Sequence, residues 1–196
     1  LSEKELRKLH SYLNDIAKYG NENKINAYIK SRYPWQEKFH SDGETCPQRL
    51  LMCANQCGKT ICGCSEDAFH LTGMYPEWWK GKKFEHPVNM WVCGATTSKV
   101  RDSVQTVLFG DPYDKDAYGT GLVPKRCLEG RDPVKKHLPA YALEVAFVRH
   151  HTDGVFDGWS KCGLKAYEMG VQVFTSEQVH VIHLDEEPQE IIMAHC

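Results

Sequence analysis

Apolar residues along the chain keep two rhythms, and the change between them marks out the elements. Leu6, Leu9, Leu13 and Ile16 recur every three or four positions, behind a capping box of Ser2 and Glu5 and ahead of Gly20. That spacing predicts a helix over 2–19. Ile25, Ala27, Tyr28 and Ile29 continue a helical pattern, so residues 1–30 read as a small helical appendage. Pro34 can open a further short helix, with Trp35 and Phe39 four positions apart on one face. Leu50, Leu51, Met52 and Cys53 form a short apolar run that predicts a strand. A turn and a helix carrying Ile61, Ala68, Phe69 and Leu71 follow, stopped by Gly73.

Later segments repeat the alternation of strand and helix. Val88–Thr96 is continuously apolar and ends in small residues, as a parallel strand buried on both faces requires. Thr97–Phe109 is amphipathic, with Val100, Val104, Val107 and Leu108 on one side and Gly110 behind it. Residues 110–140 are rich in Gly, Pro, Asp and Lys and predict irregular structure. Tyr141–His150 and Trp159–Tyr167 read as a hairpin across two Asp-Gly turn signals. His150 and His151 alternate sides there and are expected at the surface. Val179–Leu184 is a last apolar strand, ending in Asp185-Glu186-Glu187. Strand–helix–strand order predicts an α/β fold whose central sheet is mainly parallel and flanked by helices.

The chemistry concentrates where strands end. Cys53-Ala54-Asn55-Gln56-Cys57-Gly58-Lys59-Thr60 lies between the predicted strand and its helix. Backbone N–H groups of such a turn and of the helix N-terminus converge on an anion. The Lys59 ammonium would reach the β/γ-phosphates of ATP, and the Thr60 hydroxyl would hold Mg²⁺. Cys53 stands where a phosphate loop usually has its first glycine. The acids come 126 positions after Lys59 (185 minus 59). Asp185 is expected on the metal side and Glu186 as the general base that aligns and polarises an attacking water. Gln36, beside Trp35, offers both donor and acceptor to an adenine ring; the plainer reading is that Trp35 and Phe39 simply anchor their helix.

Composition narrows the classes. Hydrophobic residues make up 41% and charged residues 26%, with net charge -2 and pI about 6.6, so a constitutively basic nucleic-acid-binding module is excluded. No apolar run approaches the roughly 18 residues that span a bilayer, and no signal-peptide pattern opens the chain, which predicts a cytosolic protein. Nine cysteines invite zinc or disulfides. Cys53, Cys57, Cys62 and Cys64 cluster, but without paired C-x-x-C spacing, and reduced thiols are expected.

Taken together, several motifs resemble the large terminase subunit of tailed bacteriophages. They are Asn55–Thr60; Ala68–Gly81, with Met74-Tyr75-Pro76-Glu77-Trp78-Trp79; Trp91, Gly94, Thr96 and Arg101-Asp102; and Gly119-Thr120-Gly121 with Pro124. His150–Gly154, Lys165–Gly170 and Leu184–Pro188 complete the series, and the resemblance covers roughly residues 33–196. It implies a P-loop NTPase of the additional-strand type, an ATPase that drives double-stranded DNA into a procapsid in the host cytoplasm. Implied partners are the capsid portal protein, the small terminase subunit and further copies of the chain in a ring. It also implies adenine recognition by Gln36 and nucleotide binding by Asn55, Gln56, Cys57, Gly58, Lys59 and Thr60. Asn55 replaces a loop arginine common in the family, and 171–176 lacks the expected basic residue, so the resemblance assigns no arginine finger. The chain ends 11 residues after Asp185 (196 minus 185), which implies an ATPase domain (31–196) cut short, without the family's coupling motif or nuclease domain. Competing readings are another P-loop motor such as a helicase, a non-hydrolysing nucleotide-binding assembly module, and a cysteine-rich metal module.

Overall fold

A computed structural model describes residue 6 and residues 24–54, 56–136, 140–175 and 177–194. The expected 2–19 helix therefore lies outside the described residues, Leu6 excepted, as does Asn55. Two short helices open the described part, α1 (Lys24–Ser31) and α2 (Pro34–Asp42), and α3 (Lys59–Thr72) follows the glycine-containing turn. Strand β1 (Asn89–Gly94) leads into a helix over 97–109, made of α4 (Thr97–Val100), a π-helical turn (Arg101–Gln105) and α5 (Thr106–Phe109). Then come β2 (Val134–Lys135), β3 (Leu143–Thr152), β4 (Val155–Ala166), β5 (Val181–Leu184) and the short α6 (Glu190–Met193).

All strands belong to one sheet in the order β2-β3-β4-β1-β5. β1 pairs in parallel with β4 on one side and with β5 on the other. β3 is antiparallel to both β2 and β4. The sheet is thus mixed, not mainly parallel as expected, because the long β3–β4 hairpin adds an antiparallel half to the three parallel strands. Asp153 (φ 52°) and Gly154 (φ 79°) make its two-residue turn, both left-handed, as the tight hairpin twist demands. The second Asp-Gly pair, Asp157-Gly158, lies inside β4, opposite a register shift at His150/His151. His150 is consequently fully buried, with Nδ1 2.8 Å from the Asp157 carboxylate, and is not the surface histidine expected.

β1 sits at the centre because its alternate residues feed two cores. Met90 and Val92 join Phe69, Leu71, Val104, Leu108, Val148 and Leu164 on one face of the sheet. Trp91 and Cys93 point the other way, against Tyr167, Phe174 and Ile192. A strand covered on both faces reads as one unbroken apolar run, as 88–96 does. Helix 97–109 forms where predicted, with Val100, Val104 and Leu108 buried.

The segment before α3 does not form the expected strand. Residues 49–54 are irregular, and Leu50 and Met52 are each 81% exposed. Side-chain bonds redirect it: Arg49 turns inward to the Phe39 carbonyl (2.7 Å) and to Glu66, while Cys53 is bonded covalently to Cys57. That bond also overturns the expectation of wholly reduced thiols. Cys93 and Cys162 are the small buried hydrophobes their strand patterns indicate.

No helix among the described residues is long and apolar enough to cross a membrane.

Candidate active site

The three parallel strands deliver their chemistry at their C-terminal ends. After β4 come Tyr167 and Glu168; after β1, Thr97 and Lys99; after β5, Asp185 and Glu186. Open α/β sheets place binding crevices at such ends. Glu168 accepts the Thr97 N–H (2.7 Å), and the Tyr167 hydroxyl donates to the Glu186 carbonyl (2.7 Å). The Asp185 N–H donates to the Cys93 carbonyl (2.9 Å), extending the β1–β5 ladder by one bond.

From the other side comes α3. Gly58, in the left-handed conformation (φ 93°), turns the chain into it. The Thr60 hydroxyl then donates to the Asp185 carboxylate at 3.0 Å, although 125 positions separate the two residues. The second Asp185 oxygen accepts from Ser103 Oγ at 3.4 Å, on the π-helical turn. A cavity of about 350 Å³ opens beside them, lined by Gly94, Ser98, Lys99, Ser103, Asp185 and Glu186 among others. Hydroxyl and carboxylate oxygens are the hard donors that Mg²⁺ takes, so this pair fits that ion.

The remaining expected residues are engaged differently. Lys59 Nζ donates to the backbone carbonyls of Cys53 (2.7 Å) and Ala54 (3.0 Å), so the loop folds over its own ammonium. Glu186 faces Lys99, at 3.3 and 3.5 Å, with both side chains largely in solvent. Gln56 has positive φ (61°) and is exposed. Gln36 is buried; its oxygen accepts the Tyr33 N–H (2.8 Å), and its amide nitrogen donates to the Gly58 carbonyl at 3.4 Å. Gln36 thus ties α2 to the turn that starts α3. Trp35 stacks on Tyr33 with ring centroids 6.5 Å apart.

Behind this rim lies a set of buried charges that sequence reasoning missed. Glu66 is gripped by Arg49, by His40 Nδ1 (2.7 Å) and by His70 Nε2 (3.4 Å), while Tyr28 caps the far nitrogen of His40 (2.7 Å). Burial alone would raise the Glu66 carboxyl, but its hydrogen bonds to His40, His70 and Arg49 override this and hold it well below the usual carboxylate range. One position on, Asp67 pairs with His183 Nδ1 at 2.6 Å, joining α3 to β5 two residues ahead of Asp185. Burial would lower His183; the Asp67 carboxylate, with Asp185 and Glu66 beyond it, outweighs that and carries the imidazole up to about 9. An added Cβ at Gly63 would come within 2.6 Å of the His183 ring, so only glycine lets helix and strand approach this closely. The available signal was a run of polar residues, Ser65-Glu66-Asp67, on a helix otherwise patterned for burial.

The cysteine cluster does not converge on one ion. Cys53 and Cys57 bond to each other, Cys62 faces His40, and Cys64 lies beside Asp67 and His183. Donor atoms of that last trio fall within 4.8 Å of one another, a spacing the Asp67–His183 ion pair already accounts for.

A glycine turn that opens a helix, joined by one hydrogen bond to an aspartate at the carboxyl end of a parallel strand, defines an α/β protein with a crevice at that edge of its sheet. Residues 50–191 match the family model described as the N-terminal part of the terminase large subunit, T4likevirus-type. The chain is also 34% identical over 203 aligned positions to the terminase large subunit of Salmonella phage P22, covering 96% of this chain and 40% of that protein. The chain belongs to the terminase large subunit family. It spans 40% of the length of the curated relative it matches. No solved structure matches it.

Proposed function

We propose that this chain is the ATPase module of a viral DNA-packaging terminase, with a P-loop NTPase fold of the additional-strand type, hydrolysing ATP to move double-stranded DNA into a procapsid. The observation that carries the reading is the Thr60–Asp185 contact, which brings the glycine-lysine-threonine turn and the acidic strand end to one point. Family membership supports it independently.

In this reading, the N–H groups of the 55–60 loop and the Lys59 ammonium bind the phosphates of ATP. Thr60 and Asp185 hold Mg²⁺, Asp185 directly or through a water. When bound, the ion neutralises charge on the phosphate oxygens. Glu186 accepts a proton from the attacking water and aligns it, after leaving Lys99. Gln36 reaches the adenine or, as its present bonds favour, steadies the loop from behind. The module works in the host cytoplasm, as a ring of copies on the capsid portal protein, with the small terminase subunit delivering DNA.

Two variants test this, with Mg-ATP binding and turnover measured with and without portal and DNA. Lys59→Ala is expected to lose binding and turnover. Glu186→Gln is expected to keep binding and lose turnover. Unchanged turnover in Glu186→Gln would remove Glu186 as the general base, whereas Mg-ATP binding without turnover in the wild type would leave the chain a nucleotide-binding assembly module and end the enzymatic reading. A helicase would be recognised instead by strand separation.

A further inference from the structure

The Cys53–Cys57 bond brackets residues 54–56, the middle of the phosphate loop, with Cα atoms 6.6 Å apart. Its two ends are accessible, Cys53 exposed and Cys57 half-buried. We propose that these thiols are a reversible oxidation site: low-molecular-weight disulfides of the glutathione class convert them to the bond seen here, and the bridged loop excludes nucleotide. This rests on the phosphate-loop reading above.

The geometry supplies the reason. With the bridge in place, the carbonyls of Cys53 and Ala54 turn toward Lys59 and satisfy its ammonium. A triphosphate needs the opposite arrangement, with loop N–H groups pointing inward and the ammonium released. Tethering the first loop position to the fifth opposes that inversion. Selectivity has a physical cause as well. Cys57 lies two residues ahead of the start of α3 and is half-buried, so it can be reached from solvent, as can the exposed Cys53. Burial pushes the Cys62 thiol up to about 12 and raises those of Cys64, Cys127 and Cys162, leaving them unreactive. Cys46 is exposed, but no other described cysteine is bonded to it.

The chemistry balances as thiol–disulfide exchange. The Cys57 thiolate attacks one sulfur of glutathione disulfide, forming a mixed disulfide and expelling one glutathione thiolate. Cys53 thiolate then attacks the Cys57 sulfur, forming the intramolecular bond and expelling the second. The two protons lost by the cysteines end on the two released glutathiones, and a dithiol reverses the sequence.

The test equilibrates the chain in oxidised and in reduced glutathione buffer. Bridging is read by alkylation and mass spectrometry, and affinity by a fluorescent ATP analogue with Mg²⁺. The oxidised protein is expected to bind at least about tenfold more weakly, the worth of one charge-assisted hydrogen bond from the lysine, and to recover with dithiothreitol. Cys53→Ser is expected to show one affinity in both buffers. Equal wild-type affinity with the bridge formed, failure of the bridge to form, or a redox response that survives in Cys53→Ser would each overturn the oxidation site alone. Absence of binding in the reduced protein would instead overturn the nucleotide reading, and this inference with it.

Discussion

The two halves of the sheet carry different burdens. β4, β1 and β5 run in parallel, and the chain just past each of their C-terminal ends supplies a polar group to the site network: the Glu168 carboxylate, the Thr97 N–H and Lys99 ammonium, and the Asp185 and Glu186 carboxylates. The antiparallel strands β2 and β3, which lie beyond β4 in the sheet, contribute none of these. The tight turn at Asp153-Gly154 lies at the opposite end of β4, and the polar pairing of His150 with Asp157 is internal. Parallel strands stack their C-terminal ends on one edge, so groups distant in sequence converge there. Antiparallel strands send successive ends to opposite edges, which suits a brace better than a site.

Substitutions on the two halves should therefore separate activity from stability. The largest effect is expected at Glu186. Glu186→Gln should lower ATP turnover by roughly 10²–10⁴-fold, the usual worth of a general base, with the thermal unfolding midpoint unmoved. A comparable loss from a substitution in the β3–β4 turn would erase the distinction between the halves.

Next in size is Glu66, which belongs to neither rim. Removing one partner from a buried charge cluster costs about 3–5 kcal/mol, so Glu66→Gln should destabilise the fold by that order in urea titrations. The pH dependence follows from the same contacts. Its folded carboxyl lies below the ordinary value of 4.5, so the unfolded chain binds more protons. The contribution is complete above that ordinary value and disappears as pH falls through the lower, folded one. Wild type should thus lose stability on acidification more steeply than Glu66→Gln. Parallel curves would mean that Arg49, His40 and His70 do not hold the charge.

A smaller change is expected at Tyr167, whose hydroxyl holds the Glu186 backbone. Tyr167→Phe forfeits one hydrogen bond, about 1 kcal/mol, and should reduce turnover more than it lowers the unfolding midpoint. If only the midpoint falls, the tyrosine is part of the second core and no more. The smallest effect belongs to the brace. At Gly154 an added Cβ meets nothing within 4 Å, and only its left-handed backbone resists substitution. Gly154→Ala should cost about 1 kcal/mol or less and leave ATP turnover alone.

The elements most readable in the sequence were those whose burial is set by their own pattern. β1 is unbroken in apolar character because both its faces are covered, and helix 97–109 shows its stripe because one face is. The Asp153-Gly154 turn was legible because few residue pairs tolerate two successive left-handed conformations. The candidate site was legible in its ingredients, since a glycine-lysine-threonine turn and an acidic strand end each have a local signature. Their meeting at Thr60 and Asp185 is visible only in the fold.

Other features had no local signature. Leu50–Cys53 has the composition of a strand, yet Arg49's attachment to Glu66 and the bridge at Cys53 draw its ends elsewhere. His150 looked exposed until a bulge turned it inward onto Asp157. The bonds of the Gln36 amide to Tyr33 and Gly58 likewise had no local signature. The amino-acid order determined which segments would be buried, where helices start and stop, and which residues could carry phosphate chemistry, because propensity and apolar periodicity act over a few positions. Strand order, the mixed sheet, the charge cluster around Glu66 and the partner of each polar side chain were decided by tertiary structure, because a buried charge or an open ladder edge is satisfied by whatever the fold brings beside it.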